Sequence, residues 1–138
     1  MSANLELVRS IYADWERGDF SRADWADPQI EFTSTGSLED GSWTGVTALA
    51  DYWRRILSAW DDVCAEAQAY REIDSERVLV LTLSRGRGEA SGVELGQTAA
   101  YLFQIRNGKV MKLVQYWNRD RAFADLGLTP EGDPGTGS

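Results

Sequence analysis

Gln97-Thr98-Ala99-Ala100-Tyr101-Leu102-Phe103-Gln104-Ile105-Arg106-Asn107-Gly108-Lys109-Val110-Met111-Lys112-Leu113-Val114-Gln115-Tyr116-Trp117 is the stretch that decides the fold. Before Asn107, the residues Ala99, Tyr101, Phe103 and Ile105 fall on one face of an extended chain. After Gly108, Met111, Leu113, Gln115 and Trp117 do the same. A period of two over this length reads as strand. Asn-Gly between two alternating runs is the strongest short-range hairpin signal, because both residues accept the positive φ that a tight primed turn demands. The stretch therefore predicts two antiparallel strands, 93–106 and 109–117.

Working towards the N-terminus, the same period holds over 76–87 and 63–74, joined by Asp74-Ser75 and by the Gly-rich link 88–92. Four strands with short links make an antiparallel meander. Upstream of Asp61 the period changes to that of a helix. Leu49, Tyr52, Trp53, Ile56, Leu57 and Trp60 form one apolar face, in a helix starting at Thr47. Residues 29–35 alternate Ile30 and Phe32 against Glu31 and Thr33, which predicts a strand. The Gly-, Ser- and Asp-rich segment 34–45 reads as a loop containing Trp43. Leu5, Val8, Ile11, Tyr12 and Trp15 predict a first helix stopped at Gly18. A second short helix, capped by Asp19, carries Phe20, Ala23 and Trp25 and is broken by Asp27-Pro28. The last helix is predicted at 119–126, with Asn118 and Asp120 at its start. The expected organisation is one domain over 1–128 and a flexible tail over 129–138. It is an α+β architecture in which long strands curl around the N-terminal helices as a cone with a pocket inside.

Composition narrows what such a pocket can do. The formal charge of −8 opposes nucleic-acid binding and an anionic membrane surface. There is no histidine and only one cysteine, Cys64, so no metal site, no intrachain disulfide and no bound cofactor are expected. Without a leader pattern or a long apolar run, the expected location is cytoplasmic. Six Trp, five Tyr and four Phe in 138 residues suit both a core and an apolar ligand pocket.

Several segments, taken in order, resemble the SnoaL-like branch of the nuclear transport factor 2-like superfamily. They are Val8-Arg9-Ser10-Ile11-Tyr12 through Arg17-Gly18-Asp19, Asp27-Pro28-Gln29-Ile30-Glu31-Phe32, Gly41-Ser42-Trp43-Thr44-Gly45 and Ile105-Arg106-Asn107-Gly108-Lys109-Val110. The resemblance implies a cone-shaped curved antiparallel sheet wrapped on helices, the cystatin-like α+β barrel. It also implies a pocket whose use varies across isomerases, dehydratases, cyclases, hydrolases and non-enzymatic binders. The ketosteroid isomerase triad is not reproduced. The places of its tyrosine, its base and its oxyanion acid fall on Ile11, Thr33 and near Ala100. Nor does Arg85-Gly86-Arg87 supply the aspartates of the epoxide hydrolases.

Two function classes follow. In the first the chain is a cofactor-independent cyclase, isomerase or dehydratase that moves a proton beside a carbonyl. Glu31 is its acid or base and Tyr101 its hydrogen-bond donor, each with an ordinary structural reading beside it, as a surface acid and a core tyrosine. In the second the same fold only holds a small apolar or carbonyl-containing molecule, or only dimerises. Gln97, Gln115, Trp43, Trp117, Thr33 and Tyr12 are the candidate contacts with the bound molecule, with core packing the competing account of Tyr12. Both faces of 76–87 are apolar, Val78 and Val80 against Leu79, Leu81 and Leu83. A second copy is therefore expected to cover the convex face as a homodimer.

Overall fold

The computed structural model describes residues 3–20, 24–35, 41–88 and 94–128, apart from the side chains of 56–62, 87, 88, 94, 95 and 97. The expected tail 129–138 and residues 21–23 of the expected second helix lie outside these residues. Around them, Asp19 and Phe20 are not helical, and Asp24 and Trp25 form a turn.

Helix α1 (Ala3–Glu16) buries Val8, Ile11, Tyr12 and Trp15, the stripe set by its helical spacing. It stops where expected. Gly18 takes φ +80°, and its N–H donates to the Trp15 carbonyl at 3.0 Å while that of Asp19 donates to Asp14 at 2.9 Å. This paired closure caps the helix and needs a residue without Cβ. Strand β1 (Ala26–Thr35) is followed by β2 (Gly41–Thr44), which lies in the segment expected to be loop. The segment is polar, but it pairs antiparallel with β1, Phe32 facing Trp43 and Thr33 facing Ser42. Short polar strands are characteristic of sheet edges, where one side stays wet. Helix α2 (Val46–Ala59) then leads into β3 (Trp60–Glu72), β4 (Arg77–Gly88), β5 (Glu94–Arg106) and β6 (Lys109–Tyr116), and α3 (Arg119–Leu126) is the last described element.

The meander of β3 to β6 is antiparallel throughout. Its β5–β6 link is the expected tight turn, with Asn107 at φ 54° and Gly108 at φ 75°. The β3–β4 link is held by Asp74, whose carboxylate accepts from the N–H groups of Glu76 and Arg77, both at 2.9 Å. The sheet is nevertheless mixed. Strand order is β2-β1-β6-β5-β4-β3, and β1 lies parallel to β6. Register shifts within β3–β4, within β5–β6 and between β1 and β6 mark bulges. Each bends its strand and adds to the curvature of the sheet.

Two clusters divide the core. On the inner face α1 and α2 pack against Ile30, Phe32, Val78, Val80, Tyr101, Phe103 and Leu113. On the outer face Leu79, Ala100, Leu102, Val114 and Tyr116 pack against Ala122 and Phe123 of α3. This corrects the expectation that the apolar outer face lacks cover within the chain. The chain's own last helix, capped by Asn118 and closed by Gly127 at φ 68°, shields much of it. Among the described residues no helix is long and apolar enough to cross a membrane.

Candidate functional site

Strand alternation points Ala65 of β3, Ser84 of β4, Tyr101 of β5 and Gln115 of β6 to the inner face. Ala65 pairs with Ser84, and Tyr101 with Gln115. Helix α1 brings Trp15 above them, α2 brings Trp53, and Phe20 follows the Gly18 stop. The three rings pack on one another, with centroids 5.8 Å apart for Trp15–Phe20, 5.5 Å for Trp15–Trp53 and 5.8 Å for Phe20–Trp53. Between these rings and the strands lies a hollow of about 70 Å³, lined also by Trp117, Val63 and Cys64. One water needs roughly 10–15 Å³, so the space corresponds to a molecule of about five to seven heavy atoms.

The wall is mostly carbon with a single polar row. Tyr101 and Gln115 are both buried. Burial holds the Tyr101 hydroxyl well above its ordinary pKa, and the nearby Tyr52 adds to this; hydrogen bonds with Ser84 and Gln115 act in the opposite sense. Gln115 Oε1 accepts from the Tyr52 hydroxyl at 3.4 Å. Trp117 is fixed separately, its Nε1–H donating to Ser34 Oγ at 2.8 Å. Tyr101 is therefore neutral across the physiological range, and the row offers hydrogen bonds rather than charge.

The structure brings together Tyr101, Gln115 and Trp117 from the sequence expectations and leaves Glu31, Thr33, Trp43 and Tyr12 outside the lining. Glu31 lies on the outer, exposed side of β1, opposite Thr44 and Lys112. It does not face the hollow. The reason is energetic. Ile30 and Phe32 occupy the inner side with no solvent exposure, and turning the strand over would expose both and bury a carboxylate without a partner. Thr33 shares the outer side and meets Ser42 Oγ at 3.1 Å. Trp43 stacks on Phe32 at 5.6 Å and lies 5.0 Å from Tyr52, and it is not among the residues lining the hollow. Tyr12 is a core residue whose hydroxyl lies 2.7 Å from Thr82 Oγ1. Gln97 pairs with Ser84 along the backbone, and its side chain is outside the described residues. Sequence reasoning missed Ser84 and Tyr52. Ser84 carried a signal, a polar residue on the face of Val78 and Val80. Tyr52 carried none, because its helical spacing matches its packing role.

No protein-family model matches the sequence, and no curated protein matches it. Solved structures do resemble the fold. A nuclear transport factor 2-like protein of unknown function from Burkholderia pseudomallei K96243 superposes with a TM-score of 0.75 at 17% identity, over 90% of this chain and 97% of that one. A SnoaL-like polyketide cyclase, so described provisionally, from Jannaschia sp. CCS1 gives 0.72 at 12% identity, over 93% and 94%. A protein of ketosteroid isomerase-like fold from Catenulispora acidiphila DSM 44928, solved with trimethylamine, gives 0.70 at 14% identity, over 94% and 98%. Helices α1 and α2 on one side of a curved mixed sheet and α3 on the other, in this order and with these relatives in three dimensions, establish that the chain has the α+β fold of the nuclear transport factor 2-like and SnoaL-like proteins.

Proposed function

We propose that this chain is a pocket protein for a small, mainly apolar molecule carrying a carbonyl oxygen. The carbon rests among Trp15, Phe20, Trp53 and Trp117, and the oxygen meets Tyr101 and Gln115. The observation that carries this is the hollow itself, an aromatic enclosure with one neutral polar row. Apolar walls with a few oriented polar groups are the usual build of small-molecule sites. The neighbour solved with trimethylamine supports a ligand of this small size in the fold.

Binding is favoured over a cyclase, isomerase or dehydratase reaction. Proton transfer beside a carbonyl needs a base within reach of the substrate. None of the described residues lining the hollow carries a carboxylate, and Glu31 lies on the other side of the sheet. The test is an amide-resolved NMR titration with cyclopentanone. Shifts are expected at Val63, Ala65, Ser84, Tyr101 and Gln115, with the same affinity in Glu31→Gln. A response centred on Glu31 and Thr44, or affinity lost in Glu31→Gln, contradicts the reading.

A homodimer through the convex face is part of the same proposal. Leu81 and Leu83 are half-buried on the outer side of β4, and a second sheet would complete their burial. A monomer at micromolar concentration in sedimentation velocity would exclude it.

A further inference from the structure

Gln115 can present either end of its amide to the hollow, and the two ends select opposite ligands. Its oxygen would attract a hydroxyl or an amine hydrogen, whereas its NH₂ favours an acceptor. The structure decides between them from outside the hollow. Tyr52, on α2, lies behind Gln115 and donates its hydroxyl to Oε1. Its ring is locked by Phe32 at 4.8 Å, Trp43 at 5.0 Å and Trp53 at 5.8 Å, so the hydroxyl has little freedom to turn away. With Oε1 engaged, the NH₂ end is the part of the amide left for Tyr101, its hydrogen-bonding neighbour directly across the β5–β6 pair. Tyr101 Oη then accepts from Gln115, and its own proton is left for Ser84 or for whatever enters the hollow. The row consequently shows N–H and O–H hydrogens to the cavity, with the acceptor of the amide turned back into the core.

We infer that Tyr52 is a positioning residue: by holding the Gln115 amide in one orientation, it makes the hollow select a hydrogen-bond-accepting oxygen over a group that cannot accept. The inference rests on the hollow being a ligand site, as proposed above, and adds what sets its preference. A ligand oxygen that meets the row gains about one net hydrogen bond, roughly a fivefold preference. When the hydroxyl of Tyr52 is removed, the amide can turn over and the preference falls without any change in cavity shape.

The test compares cyclopentanone with methylenecyclopentane, which has the same outline and no acceptor oxygen. Both are titrated into the wild type, Tyr52→Phe and Tyr101→Phe, with the amide spectrum reporting binding and folding together. The wild type is expected to prefer the ketone by about fivefold, Tyr52→Phe by about twofold or less, and Tyr101→Phe not at all. The affinity for the hydrocarbon should stay within about twofold in all three. If Tyr52→Phe keeps the wild-type ratio, or weakens both probes in parallel, Tyr52 is only packing and the inference fails while the pocket stands. If neither probe binds the wild type, the pocket reading falls and takes the inference with it.

Discussion

Filling the hollow should strengthen the fold and abolish binding at the same time. Ala65 is buried, faces inward opposite Ser84 and lines the space, so Ala65→Leu adds carbon where none now lies. Empty volume in a core costs about 24 cal/mol per Å³. For a hollow of about 70 Å³, this sets an upper limit of about 1.7 kcal/mol on what filling can recover. Imperfect fit of the new side chain takes back part of it, leaving an expected gain of about 1 kcal/mol. In a domain of this size that raises Tm by about 3–5 °C. Ligand binding gives the second reading. Cyclopentanone at ten times its Kd stabilises the wild type by about 1.4 kcal/mol through mass action, and the filled variant should gain nothing. Urea denaturation with and without the ketone measures both quantities on one sample. A variant that loses stability, yet keeps the ketone-dependent gain, would refute the reasoning, since it would show that the site lies elsewhere.

Two further outcomes concern parts of the fold outside the hollow. Thr82 Oγ1 donates to the Val80 carbonyl at 3.3 Å, so the Tyr12 hydroxyl is the donor in the 2.7 Å contact with Thr82. Burial, its largest influence, raises the pKa of that hydroxyl well above the ordinary tyrosine value. Tyr12→Phe keeps the ring contacts and removes one buried bond, for an expected loss of about 1 kcal/mol in urea denaturation; a loss above about 3 kcal/mol would mean that Tyr12 does more than pack. Asp74 is held below the ordinary carboxylate pKa, first by the Glu76 N–H and then by Arg77. A depressed folded-state pKa means that the turn is supported at neutral pH and loses that support only as pH falls through the lowered value. The amide shifts of Glu76 and Arg77 should therefore titrate below the ordinary aspartate range, and a midpoint at or above that range would contradict the turn geometry.

Local chemistry determined much of this protein. Asn107-Gly108 could only be a tight turn, Gly18 could only close α1, and Asn118 with Gly127 bounded α3. In each case the decisive interaction lies within five residues along the chain. Alternation likewise told which residues share a face, so Tyr101 and Gln115 could be singled out as polar groups among carbon. What alternation does not carry is which face is the inside. Tertiary packing settled that by burying Ile30 and Phe32, and so turned Glu31 outward. The same holds for β2, whose polar residues become a strand only because β1 lies beside them, and for the parallel pairing of β1 with β6. It holds for α3, which covers the outer face, and for Tyr52, whose hydroxyl matters only because the fold sets it behind Gln115. These features depend on residues tens of positions apart meeting in space. Their energy comes from area jointly removed from water, a quantity no single stretch of sequence contains.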